Sequence, residues 1–206
     1  MDIEQIPTGG DANFGYVLAD AGEAMLVDPS YTPERLLELV DARGWSLRRS
    51  VCTHSHHDHV NGNPVVERAT GQPVLLHGDR DPSSGIRLEH GAELPLGSTG
   101  VRIIHTPGHT SDAICLHIGD ALITGDTLFV GRVGKTDFGE GAATLYRSLH
   151  ERVLSLNDAT RVFPGHDYGD RPVSTIGRER ATNPFLQQPD LAAFIAFKRA
   201  WAARKR

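Results

Sequence analysis

Cysteine is scarce: Cys52 and Cys115 are the only two in a chain of 206 residues. Both sit inside apolar, strand-like runs (SVCT and AICLHI), so they read as buried free thiols acting as small hydrophobes. Two such residues do not make a disulfide framework, and a reducing cytoplasm is the expected compartment. Positive charge is not in excess either. The formal net charge is −5, which removes the electrostatic ground for a nucleic-acid partner. The local exception is Lys198, Arg199, Arg204, Lys205 and Arg206, a cluster suited to a helix end whose dipole favours cations. No apolar run approaches the ~20 residues that span a bilayer, so no membrane partner is expected. Met1 to Pro7 holds neither a basic nor an apolar stretch, which argues against a secretory signal. The remainder is ordinary, 39% hydrophobic and 23% charged, the balance of a globular chain with one sizeable core.

Strand and helix signals alternate along this chain. Tyr16 to Ala19 and Ala24 to Val27 flank the turn Asp20-Ala21-Gly22 and predict a hairpin. Thr32 as cap and Pro33 at the first helical position open a helix that Gly44 closes, with Leu36, Leu37 and Val40 facing inward. Arg49 to Thr53 reads as a buried strand, Pro64 to Ala69 as a short helix and Pro73 to His77 as a strand, followed by a Gly/Pro-rich loop over 78–85. Strands are expected at Val101 to His105, Ala113 to Ile118, Ala121 to Thr124 and Arg161 to Phe163. Leu145, Leu149, Val153 and Leu156 mark one face of a helix over 142–156. Helices around Ser174 to Ala181 and Pro189 to Arg204 finish the chain, the last with an apolar stripe (Leu191, Phe194, Ile195, Trp201) that predicts core packing. This order predicts an α/β fold of two sheets with outer helices. No linker or repeat interrupts it, so residues 1–206 are expected to form a single domain.

The chemistry is concentrated in Thr53-His54-Ser55-His56-His57-Asp58-His59, directly after a buried strand. Imidazole and carboxylate donors suit zinc, iron or manganese. Alternation on an extended strand end brings His54 and His56 to one side, within reach of one ion, while Asp58 and His59 follow as the chain turns into a helix. Three further segments place a donor in a turn after a strand: Pro107-Gly108-His109-Thr110, Gly125-Asp126-Thr127 and Pro164-Gly165-His166-Asp167. The glycine beside each donor allows a tight turn and close backbone approach. Thr53 and Thr110 flank donors and are placed to hydrogen-bond to them. His57, His77, His90, His105, His117 and His150 read as packing or surface residues.

The set HxHxDH, PGHT, GD and a late GH resembles the metallo-β-lactamase superfamily over nearly the whole chain. The resemblance implies a four-layer αββα sandwich with metal at one edge between the sheets. It further implies His54, His56 and His109 as a first metal site and Asp58, His59 and His166 as a second, bridged by Asp126. Asp58 and His59 are then the catalytic pair, and Lys135, Thr110, Asp167 and Tyr168 the substrate contacts.

The family holds both dinuclear thioester hydrolases of the glyoxalase II type and mononuclear iron persulfide dioxygenases. Gly134-Lys135-Thr136-Asp137-Phe138, Leu145 to Glu151, and Pro164 to Gly169 with Val173 to Ile176 and Asn183-Pro184 are similar to the dioxygenase group. About forty residues follow His166, fewer than the helical glutathione-holding domain of glyoxalase II needs. The expectation is therefore an Fe(II) enzyme, its ion on His54, His109 and Asp126, with His56, Asp58, His59 and His166 around it. It would take glutathione persulfide and dioxygen to glutathione and sulfite. The alternative is a thioester hydrolase with one or two zinc ions. Two features depart from the dioxygenase pattern. Lys135 stands where that group has arginine in GRTDF, a point charge in place of a planar fork, and Asp58 to Asn63 looks more like the hydrolase branch. A metal-binding scaffold without catalysis is the reading from another class. The absence of an export signal argues against β-lactam hydrolysis, and a homodimer is compatible with the sequence.

Overall fold

The computed structural model describes residues 1–204; of the C-terminal cations, Lys205 and Arg206 lie outside the described residues. Strands β1 (Asp2–Gly9), β2 (Asn13–Asp20), β3 (Glu23–Val27), β4 (Ser46–Val51) and β5 (Val74–Leu75) form one sheet in that order. Strands β6 (Glu93–Leu96), β7 (Thr99–His105), β8 (Ile114–Ile118) and β9 (Ala121–Gly125) belong to a second sheet, and β10 (Leu128–Phe129) and β11 (Arg132–Val133) make a small hairpin after it. With β12 (Arg161–Pro164) and β13 (Ser174–Thr175) the second sheet has the order β13-β12-β9-β8-β7-β6.

The period of two along each strand sorts side chains into three cores and so builds the layers. In β2, Tyr16 and Leu18 point between the sheets while Val17 and Ala19 point outward. In β8 and β9, Ile114, Leu116 and Ile123 join that same central core, and Cys115 and Leu122 face the other way. The outer face of the first sheet is covered by α1 (Pro33–Ala42) and α3 (Asn63–Thr70), with Leu36, Val40 and Val66 buried. A short helix, α2 (His57–Val60), lies between them in sequence. The outer face of the second sheet is covered by α4 (Glu140–Arg147), α5 (Ile176–Thr182) and α6 (Leu191–Ala203), burying Leu145, Ile176 and Phe194. The expected αββα sandwich is the observed one. Cys52 and Cys115 are both buried and free, in cores on opposite sides of the double sheet.

Several local expectations change. The helix expected over 142–156 is α4 followed by a π-helical stretch, Ser148–Val153, in which the Leu154 N–H donates to the Leu149 carbonyl. Thr32 does not cap α1; its hydroxyl donates to the Thr8 carbonyl instead. Strands β1, β6, β10, β11 and β13 were not expected from the sequence. Among the described residues, no helix is long and apolar enough to cross a membrane.

Candidate metal centre

Strand direction explains why donors distant in sequence meet. β8 is antiparallel to both β7 and β9, and β12 is parallel to β9, so β7, β9 and β12 all run the same way. Their ends deliver His109, Asp126 and His166 to one edge of the second sheet. Across the sandwich, β4 ends just before Thr53, whose carbonyl accepts the Ile114 N–H at 2.8 Å and ties the two sheets at this edge. Backbones approach very closely here. A Cβ on Gly165 would lie 2.6 Å from Asp126 Oδ1, and one on Gly125, which has a φ of +47°, would lie 2.5 Å from Thr53 Oγ1.

The donors converge in two groups. His56 Nδ1 lies 3.1 Å from His54 Nε2 and 2.9 Å from His109 Nε2. His166 Nε2 lies 3.3 Å from His59 Nε2 and 3.4 Å from Asp58 Oδ2. Asp126 stands between the groups, with Oδ1 3.3 Å from both His59 Nε2 and His166 Nε2, and Oδ2 3.4 Å from His109 Nε2. The sets His54-His56-His109, His54-His59-Asp126 and Asp58-His59-His166 are each compact enough to hold an ion. Ligand atoms about 2.1 Å from one tetrahedral ion stand about 3.4 Å apart, close to these separations.

Hydrogen bonding fixes which ring nitrogens face inward. His109 Nδ1 donates to the Lys135 carbonyl and His166 Nδ1 to the Asp11 carbonyl, each at 2.8 Å. A carbonyl only accepts, so each Nδ1 carries the proton and Nε2 of the neutral ring turns its lone pair inward. His59 Nδ1 is 2.9 Å from Asp28 Oδ2, whose carboxylate also accepts the Thr53 N–H at 2.7 Å and the Thr53 hydroxyl at 2.8 Å. Asp126 Oδ1 is buried with no hydrogen-bond partner among the described residues. His56 Nδ1 faces two ring nitrogens but can form one hydrogen bond with only one of them. Lone pairs crowded in this way repel unless a cation lies among them, so the residues present fit a metal ion.

Were no ion held, the same crowding would set the protonation of these groups. Burial, reinforced by the His59 charge, drops His54 to about 3. Burial also opposes charge on His59, but the Asp28 and Asp126 carboxylates on either side of it prevail and lift it to about 10. Burial disfavours ionised Asp126 too, yet the His166 and His59 rings hold its carboxyl well below the usual range.

The other anticipated residues are dispersed around this centre. Lys135 and Tyr168 line both the cavity over the donors and a larger neighbouring cleft. The Tyr168 ring stacks on His166 with centroids 4.7 Å apart. Asp167 is exposed, and its N–H donates to the Ala12 carbonyl. The Thr110 hydroxyl is buried without a partner among the described residues, whereas the Thr53 hydroxyl is 3.2 Å from His54 Nδ1. Of the histidines read as packing or surface residues, His77 stacks on His105 at 4.0 Å and His150 lies against Tyr146 at 4.1 Å.

Two residues were missed by the sequence reading. Asp28 is fully buried, and Asn13 Nδ2 donates to both the carbonyl and Oδ2 of Asp58. The available signal for Asp28 was a carboxylate at the end of an apolar strand followed directly by Pro29.

The chain belongs to the metallo-beta-lactamase superfamily, whose family model matches residues 8–166. A hydroxyacylglutathione hydrolase from Polaromonas sp. is 36% identical over 190 residues, covering 87% of this chain and 72% of that protein. The mitochondrial persulfide dioxygenase ETHE1 of Homo sapiens is 33% identical over 190 residues, covering 84% and 71%. The crystal structure of ETHE1 from Myxococcus xanthus superposes with a TM-score of 0.87 at 31% identity, covering 98% of this chain and 91% of that one. Relatives of both reaction classes thus lie at similar distance, and the family's shared property is a metal-dependent enzyme.

Proposed function

We propose that this protein is an iron-dependent persulfide dioxygenase, oxidising glutathione persulfide or a similar low-molecular-weight persulfide to sulfite. The observation that carries this reading is the match over 98% of the chain to ETHE1 from Myxococcus xanthus. His54, His109 and Asp126 would hold the ion, two imidazoles and a carboxylate of the kind that leaves positions open on Fe(II). When bound, Fe(II) supplies the redox chemistry with dioxygen. Overall, a persulfide, dioxygen and water give a thiol, sulfite and two protons.

The chain's own contribution is positional. Lys135 and Tyr168, at the junction of the two cavities, would orient the substrate. Asp58, partly exposed at the cavity wall, stays ionised because the Asn13 amide and the His59 charge outweigh its burial. Facing the cavity, it would accept a released proton in this reading. Buried, unpaired thiols suit a reducing cytoplasm.

One observation favours a second reading, a dinuclear thioester hydrolase of the hydroxyacylglutathione hydrolase type: the Asp126 oxygens face both donor groups. Metal analysis of protein purified without added metal, with oxygen uptake on glutathione persulfide, separates the two. One iron per chain with oxygen consumption supports the dioxygenase. Two zinc ions, no uptake and hydrolysis of an acylated glutathione would replace it.

A further inference from the structure

Beside the donor cavity lies a larger cleft of about 400 Å³, opening between the β10–β11 hairpin and α6. The two share Phe129, Lys135 and Tyr168, so the cleft is continuous with the reacting centre. Its walls are apolar and aromatic, with Val133, Phe138, Phe185 and Trp201 among them, and among the described residues no carboxylate lines it. Yet it carries Arg132, Lys135 and Lys198, none of which is in an ion pair among the described residues.

Lys198 is the most informative of these. The residue is buried, 5% exposed, and among the described residues its ammonium makes one hydrogen bond, to the Gly134 carbonyl at 2.6 Å. Its other neighbours are the faces of Phe194 at 5.6 Å and Phe185 at 6.0 Å. An ammonium has three donors, so up to two remain unused. A buried cation without a counter-ion is costly, and burial lowers Lys198 to about 8. The Arg132 guanidinium lies over Trp201 at 6.0 Å and over Tyr168 at 5.9 Å, at the same cleft. A structural lysine would gain more from a carboxylate partner or from solvent than from this surface.

We infer that this cleft binds the non-reacting end of the substrate, a carboxylate on an apolar body, with Lys198, Arg132 and Trp201 setting that specificity. The apolar body lies against Phe138 and Trp201 and the carboxylate meets the two cations, which directs the sulfur-bearing end toward the donor cavity. The inference rests on the proposed function for that last direction, but occupancy of the cleft can be tested without turnover.

The test is calorimetric titration of the metal-loaded protein with 4-phenylbutyrate and with its primary amide. The carboxylate is expected to bind at least about tenfold more tightly, the scale of a hydrogen bond to a charged group. Lys198→Met and, at a more exposed position, Arg132→Gln should each remove most of that preference, and Trp201→Ala should weaken both probes. Chelator-stripped protein should bind the carboxylate as the loaded protein does, because the contact is not with the metal. Equal affinity for acid and amide, no binding of either, or binding lost on stripping the metal would overturn the inference. Failure of the dioxygenase reading shows instead in oxygen uptake and leaves these affinities unchanged.

Discussion

Asp126 turns one carboxylate oxygen toward His59 and His166 and the other toward His109, and its inward oxygen has no donor among the described residues. Three imidazoles around it are held from behind, two by main-chain carbonyls and His59 by Asp28. Asp28 is therefore expected to matter nearly as much as a ligand. Asparagine tolerates its φ of +48°, so Asp28→Asn should fold. Its amide keeps one accepting oxygen, however, where the carboxylate uses one for the Thr53 N–H and the other for the Thr53 hydroxyl and His59, and metal affinity is expected to fall about 10- to 100-fold in chelator competition. Unchanged affinity would mean that His59 needs no orienting partner. The donor residues themselves could be read in advance because spacing and residue type carry them. Asp28 and Asn13 could not, since a lone polar residue beside a strand has the same pattern whether it faces a ligand or a turn.

At the scale of elements, the centre depends on strand ends that meet without room for side chains. Gly165→Ala would push a methyl group against Asp126 Oδ1. We expect a chain that folds, loses about 1–3 kcal/mol of stability and retains less metal after dialysis. Wild-type metal retention would show that the strand ends can separate freely. Phe194, fully buried under α6, anchors that helix to the second sheet, and Phe194→Ala should cost about 3–5 kcal/mol in urea unfolding. Strands β7, β8, β9 and β12 were legible because buried apolar runs ended in turn signals. β1 was not, because it is an edge strand with mostly polar or half-exposed residues and an internal Pro7. β10, β11 and β13 span two residues each, too few to set up a period. The π-helical stretch was hidden because Leu149 and Val153 keep a helical spacing while the backbone bonds widen.

Across the whole molecule, titration acts in one direction on the acid side. Burial is the leading cause that lowers His54, His77, His90, His109, His117 and His150 from the ordinary value of 6.5. For a depressed histidine the unfolded chain takes up the proton first. Its contribution to stability is full above 6.5 and is lost as pH falls toward the folded value, about 3 for His54. His59 and His166 are raised, so they favour the folded chain as pH falls toward 6.5, and only well below that value do both states hold their protons and leave the trend unopposed. Metal-stripped protein should therefore show a urea midpoint that falls steadily from about pH 6 to pH 5. A flat or rising midpoint would show that these rings are not buried as described. The four-layer arrangement was foreseen through resemblance, and the alternation of Tyr16 and Leu18 against Val17 and Ala19 supplies its physical basis.

The most direct measurement is the metal content of the chain, purified without added metal, beside that of His109→Ala. At least one tightly held transition-metal ion per chain is predicted, with the variant losing metal and activity together. A metal-free preparation that still turns over a persulfide or a thioester, or a fully active His109→Ala, would contradict the account.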